Sequence, residues 1–363
     1  MVMKSKVYFT PVSERDPVSL IAEKLQKLLA ESRVLDFLKS PDRVAVKIHF
    51  GEEGNTGFVR PEYARVVCDA ISDKGAKPFL ADTNTLYKGK RTNSREHLAL
   101  AAEHGFTQES VAAEIVIPDD FLKENAIDVP IHQKFVQTAK LARFLVEADA
   151  IIGISHFKGH LLTGFGGALK NLGMGCASRA GKLVQHSGIS PIVYARKCTA
   201  CGECVKVCPA SAISIRKRAV ILGKSAVIDS SKCIGCATCI AVCPFSAIDV
   251  QWETGRTMPE KMVEYAWAVM QGKKERAAFF NFAIKITKEC DCMAKDDPRV
   301  APDIGILACL DPVSIDQASF DLVRQVCGRD IFRELHPKRD SSRQLRHAHE
   351  LGLGNLDYEL VTL

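Results

Sequence analysis

Val44-Ala45-Val46-Lys47-Ile48-His49-Phe50 is a run of strand-favouring residues, and Lys77-Pro78-Phe79-Leu80-Ala81-Asp82 is a second. Between them, Pro61 suits the first turn of a helix that runs to Asp73 and is stopped at Gly75. Strand, helix and strand in that order predict a parallel pair joined by a crossover. The alternation continues on both sides of a central segment. Helices are predicted over Arg95–His104, Leu141–Glu147, Pro259–Met270 and Ser314–Val326, the last with a serine cap and Asp316 in its first turn. Strands are predicted over Glu114–Pro118, Ala150–Ser155, Phe279–Ile286 and Ile304–Leu310, and Tyr358–Leu363 reads as an edge or closing strand. The predicted class is α/β, a mostly parallel sheet with helices on both faces.

A chain of 363 residues is long enough for two to three domains of roughly 150 residues each. At 47% hydrophobic and 25% charged it has the composition of a globular protein, which excludes disordered and fibrous classes. The net charge of +6 is diffuse, with no block of five like charges, and aromatic residues are 7%. Neither pattern supports a nucleic-acid surface. No apolar run approaches the roughly 20 residues that span a bilayer. Met1 to Lys6 leads into no signal-peptide core, so no membrane association and a cytoplasmic location are expected.

Fourteen cysteines stand out. Eight form two copies of one pattern: Cys198-x2-Cys201-x2-Cys204-x3-Cys208-Pro209 and Cys233-x2-Cys236-x2-Cys239-x3-Cys243-Pro244. This is the spacing of bacterial two-cluster ferredoxins, in which the fourth cysteine of each run serves the other cluster. The predicted ligand sets are therefore crossed: Cys198, Cys201, Cys204 and Cys243 for one 4Fe-4S cluster, Cys233, Cys236, Cys239 and Cys208 for the other. Gly202 and Gly235 allow tight turns beside the sulfurs. Zinc favours two separated Cys-x2-Cys pairs over triplets with a trailing Cys-Pro. The expected organisation is residues 1–189 as the first part of the α/β domain, residues 190–250 as a small ferredoxin-like α+β insert carrying the two clusters, and residues 251–363 as the second part. Two separate α/β domains are the rival.

Other chemistry gathers after predicted strand ends. His156-Phe157-Lys158-Gly159-His160 is followed by the glycine-rich run Thr163 to Cys176. Glycines let backbone approach a ligand, and Lys158, Lys170 and Lys182 could attract a small anionic ligand. His156 and His160 are candidate ligands or proton carriers. The P-loop and dinucleotide fingerprints both fail in this run, and tight packing is the bland explanation of its glycines. Gly51 to Gly57, just after His49, is either a wall of the same site or an ordinary turn. Cys290-Asp291-Cys292 places two thiols at i and i+2, suited to a soft metal, a redox pair or two inert core residues. Asp303 and Asp311 could be acid, base, metal ligand or turn cap. Cys68 and Cys327 are expected in the core, and His336, His347 and His349 in solvent.

Taken together, Lys158-x-His160, Gly166 to Gly175, the two cysteine runs, Cys290-Asp291-Cys292, Pro302-Asp303-Ile304-Gly305 and Asp311-Pro312-Val313 resemble one family. It is the iron–sulfur subgroup, with a ferredoxin insert, of domain-of-unknown-function family 362. The resemblance implies 4Fe-4S binding and no particular reaction. The leading expectation is an oxidoreductase that passes electrons between an external protein or small carrier and a site in the α/β domain, with His49, Lys158, His160, Lys170 and Asp303 as catalytic candidates. A non-enzymatic electron carrier or metallocofactor maturation module is the alternative, and clusters with a purely structural role are the third reading.

Overall fold

The computed structural model describes residues 4–118, 123–187, 190–217, 223–251 and 257–363. Eight strands form one sheet: β1 Ser5–Pro11, β2 Arg43–Lys47, β3 Lys77–Ala81, β4 Glu114–Val116, β5 Ala150–His156, β6 Ala277–Ala283, β7 Gly305–Cys309 and β8 Tyr358–Thr362. Their order across the sheet is β8-β1-β7-β6-β5-β2-β3-β4. The run β6-β5-β2-β3-β4 is parallel throughout, as is β1 with β8. Only β7 runs against its neighbours β1 and β6. The sheet is thus mostly parallel. β7 is reversed because the chain returns from β6 through a connection with no helix, and parallel re-entry needs a crossover.

Both sheet faces are buried, because successive side chains point to opposite sides and each side meets helices. Val44, Val46, Ile152, Phe280 and Ile306 share a core with Ile21 and Leu25 of α1 (Val18–Ser32) and with Ala64 and Val67 of α2 (Pro61–Asp73). Ala45, Ile151, Phe279 and Leu307 face the other core. That core contains Leu169 and Leu172 of α3 (Ala168–Gly173), Met262 and Val263 of α4 (Met258–Val269) and Val313 and Val323 of α5 (Pro312–Cys327).

The predicted helix over Leu141–Glu147 is present but starts two residues later. Thr138–Ala142 is a strand paired antiparallel with Ala126–Pro130, and only Arg143–Glu147 is helical. Ala139 and Leu141 point into the core while Lys140 points out, an alternation of two that suits a strand. The cap of α5 is Asp311, whose carboxylate accepts from the amides of Val313 and Ser314. Ser314 instead donates its hydroxyl to the Asn355 carbonyl. Tyr358–Thr362 is an edge strand, as its sequence suggests. Strand β1 and helix α1 carried no sequence expectation.

Residues 190–251 lie outside the large sheet. A hairpin pairs Ile213–Lys217 with Lys224–Ile228, and Ile192–Val193 pairs antiparallel with Ile248–Asp249 near the two ends of the segment. The segment has its own core of Ile213, Ala226, Ile240, Ile248 and the buried Cys204, Cys239 and Cys243, closed by Leu86 and Leu183 from the α/β part. The expected boundary at residue 189 lies outside the described residues.

Candidate functional site

From β2 the chain steps outward to β3 and β4, then returns to lay β5 on the other side of β2. Strands that diverge in this way leave a crevice at their carboxyl ends. A cavity of 480 Å³ lies there, walled by Lys47 at the end of β2 and His49 just beyond it, Asp82 and Thr83 after β3, and Ser155 and His156 at the end of β5. Lys158, His160, Lys170, Cys290 and Cys292, all expected from the sequence, open onto the same cavity.

Asp303 does not join them. It sits in a separate depression, where it pairs with Arg299 at 2.6 Å and accepts from the Lys285 amide. A turn-stabilising carboxylate is the role its contacts describe, away from the cavity. Asp311 is likewise a cap. The histidines expected in solvent divide. His336 is buried, 3.7 Å from Glu289, and His347 is buried, 3.3 Å from Glu264, while His349 is exposed and contacts the Gly354 carbonyl. Cys68 is in the core as expected, and burial pushes its thiol up to about 12. Cys327 is only partly covered.

The glycines of the 159–175 run mainly permit packing. A Cβ at Gly159 would run into the Lys288 carbonyl, and one at Gly173 into the Met262 carbonyl. The first contact brings the segment before Cys290 against the ribbon formed by Lys158–His160 and Gly164–Gly166. The second seats α3 on α4. Side chains between the glycines line the site. The Gly51 to Gly57 loop contributes no lining residue to the cavity but braces it from behind: the Glu52 amide donates to the Asp291 carbonyl, and its carboxylate holds Arg91 at 2.9 Å.

Buried ion pairs organise the cavity. Lys47 reaches Asp82 at 2.9 Å, with His49 Nδ1 at 3.0 Å from the same carboxylate. Burial opposes the Asp82 charge, but Lys47 and His49 hold its carboxyl well below the usual range. Lys158 lies 2.9 Å from Asp291. Burial again opposes the charge, and Lys158, His49 and His156 overcome it. Lys170 Nζ donates to Cys290 Sγ at 3.0 Å. Burial disfavours the Cys290 thiolate, yet the Cys292 thiol and the two lysines hold it well below the ordinary thiol range, while the hydrogen bond to Cys290 and burial drive Cys292 upward. Burial, then Lys170 and Lys158, keep His160 neutral. Lys182 donates to Thr83 Oγ1 at 2.6 Å. The three lysines expected to attract an anion are therefore already engaged, and an anion would share their remaining donors.

Lys47, Asp82, Arg91, Tyr87 and Asp291 escaped the sequence reading. Lys47 was the most legible of them, a charge in an otherwise apolar strand-forming run. Arg91 and Tyr87 lie in a connection without periodicity, and only tertiary contact brings Tyr87 to donate its hydroxyl to the Cys292 carbonyl at 2.8 Å.

The two cysteine loops repeat one backbone. Residues two and four after the first cysteine are left-handed in both copies, Ala200 and Gly202 in one and Gly235 and Ala237 in the other, as are Ser211 and Ser246. Alternation with left-handed residues turns successive amides inward toward an anion. Ala212 donates its amide to Cys208 Sγ at 3.3 Å, and Ala247 donates to Cys243 Sγ at 3.2 Å. Burial raises the Cys204 thiol, followed by the charges of Cys198, Cys243 and Cys201. Burial pushes Cys239 up to about 12, with Cys236, Cys233, Cys204 and Cys208 adding to it. Cys204 and Cys239 thus each feel the trailing cysteine of the opposite run.

An α/β sheet with a cavity at its strand switch point defines the class. Residues 44–321 match the domain of unknown function DUF362, and the chain belongs to that family. No curated protein matches it. Among solved structures it is similar to the lactate racemase apoprotein from Thermoanaerobacterium thermosaccharolyticum, with 13% identity and a TM-score of 0.41, over 78% of this chain and 51% of that one. A protein from Thermotoga maritima gives 15% identity and a TM-score of 0.42, over 86% and 58%. The chain spans little more than half the length of either. No helix among the described residues is long and apolar enough to cross a membrane.

Proposed function

We propose that the protein is an iron–sulfur oxidoreductase that holds two 4Fe-4S clusters on the eight cysteines and exchanges electrons between an outside carrier and the strand-end cavity. The observation that carries the reading is the repeated loop geometry: left-handed residues at matching positions of the two runs, with the Ala212 and Ala247 amides on the trailing Cys208 and Cys243 sulfurs. The donor set fits. Four thiolates around one zinc would stand about 3.8 Å apart, from Zn–S bonds of about 2.3 Å. Among the described residues no three of these eight sulfurs gather within 4.8 Å, the closeness a single zinc would need.

When bound, the clusters supply single-electron transfer. The chain's part is to hold and tune them. Amides of Ala212, Ala247 and Ala226 donate to Cys208, Cys243 and Cys198, and donors to sulfur favour the more negative, reduced state. Leu86 and Leu183 pack over the cysteines, and Leu86 also lines the cavity. Lys88 donates to the carbonyl of Pro244, directly after Cys243, at 3.0 Å, and the adjacent Tyr87 bonds to Cys292. Those two contacts join the cysteine loops to the cavity wall.

The test is iron and acid-labile sulfide analysis of anaerobically purified protein, with EPR of the dithionite-reduced form. About eight of each per chain and spin-coupled signals are expected. About four iron, or zinc in their place, would overturn the proposal. A metallocofactor maturation or binding module is the second reading, favoured by the approach of His160 to Cys290 and Cys292.

A further inference from the structure

We infer that Cys290, Cys292 and His160 form a binding site for one thiophilic d10 metal ion, with zinc(II) as the reference case, separate from the eight cluster cysteines and open to the cavity. A ring nitrogen of His160 and the two sulfurs lie within 4.8 Å of one another, and they are the one group of three such donors that close among the described residues. Two sulfurs and an imidazole suit a soft or borderline ion, and three protein ligands leave a fourth position vacant. All three residues line the 480 Å³ cavity, so that position faces space where a ligand fits.

The surroundings orient the imidazole. Thr163 Oγ1 lies 2.8 Å from His160 Nδ1 and 2.6 Å from the Phe165 carbonyl oxygen. In the free ring Nδ1 is the acceptor, taking the amides of Leu162 and Thr163 at 3.3 and 3.2 Å. With a metal on Nε2 the ring proton would sit on Nδ1, where Oγ1 accepts it while the hydroxyl donates to the carbonyl. With Nδ1 engaged, Nε2 is the nitrogen left to ligate, and Thr163 is the outer partner that a metal-bound histidine ordinarily has. Cys290 Sγ accepts from the Lys170 ammonium at 3.0 Å and from the Cys292 amide at 3.3 Å, donors that offset the charge of a bound dithiolate. The vacant position therefore accepts an oxygen or sulfur ligand of neutral or single negative charge.

The site stands independently of the cluster proposal, and one experiment separates the two. Anaerobic full-length protein is assayed for iron and sulfide, then titrated with zinc against a chromogenic chelator, and in parallel with cobalt(II) followed by its thiolate charge-transfer absorption. One zinc per chain is expected without loss of iron, together with a cobalt–thiolate band. Cys292→Ser should abolish both while leaving iron and sulfide unchanged. Thr163→Val, which keeps the ligands and removes the acceptor at Nδ1, should weaken zinc by about 10–100-fold. Absence of zinc uptake by iron-loaded protein overturns the site, as does uptake indifferent to Cys292→Ser. Zinc that enters only as iron leaves belongs to the cysteine loops and counts against both proposals.

Discussion

Asp316 provides the sharpest test of how the cavity is assembled. It is fully buried on α5 and caps a different helix: its carboxylate accepts from the amides of Ala168 at 2.7 Å and Leu169 at 2.9 Å, and from Asn281 Nδ2 at 2.7 Å. Helix α3 has no cap of its own at Gly167, and it carries Lys170 and Asn171 into the site. Asp316→Ala leaves the two amides without an acceptor, while Asn281 keeps Ser319 Oγ at 3.0 Å. An orphaned buried donor costs about 1–3 kcal/mol, so the two together cost about 4 kcal/mol. Burial raises the Asp316 carboxyl from 3.8 to about 6, against the pull of Asn281 and the two amides. A raised carboxyl binds its proton more tightly in the folded state, so its contribution is complete below pH 3.8 and is lost as pH rises through 6. The stability advantage of wild type over Asp316→Ala should therefore shrink by about 1 kcal/mol between about pH 5 and about pH 7. Anaerobic guanidinium unfolding followed by circular dichroism reads both effects. A loss below about 1 kcal/mol would refute the capping role. An advantage that grows with pH would mean that three hydrogen bonds outweigh burial and that the carboxyl is depressed.

Four further outcomes are expected. If the ligand sets are crossed, Cys243→Ser should remove the same EPR signal as Cys198→Ser, and Cys208→Ser the same one as Cys233→Ser; pairing within each run would refute the crossing. Gly159→Ala forces a methyl against the Lys288 carbonyl and should destabilise by about 1–3 kcal/mol, read as a lower guanidinium midpoint. Glu52→Gln leaves the buried Arg91 guanidinium without its carboxylate and should cost about 3 kcal/mol in the same assay. Asp303→Asn should leave zinc uptake and cluster signals unchanged, because its contacts lie outside the cavity.

The sheet was legible because each of its central strands is apolar on both faces, and few other structures bury a run such as Ala150 to Ser155 completely. Helix α2 was legible to the residue because Pro61 and Gly75 mark its ends. Leu141 was misread because five residues of apolar–polar pattern suit a short strand as well as a helical turn. Lys158, His160, Lys170 and the Cys290–Cys292 pair could be nominated from residue type and position after strand ends. Sequence could not assign Asp303 and Asp311 to capping, since a carboxylate beside a strand looks the same whether it caps a turn or faces a ligand.

What the sequence determined by itself is what spacing encodes: alternation of strand and helix, and two cysteine runs whose periodicity repeats. What only tertiary structure decided is which distant charges meet. Lys47 finds Asp82, Arg91 finds Glu52, Lys158 finds Asp291, and Asp316 reaches the amides of α3 across 148 and 147 residues. The physical reason is that a buried charge is tolerated only where a partner is supplied, and the partner comes from whichever strand end the sheet order brings alongside.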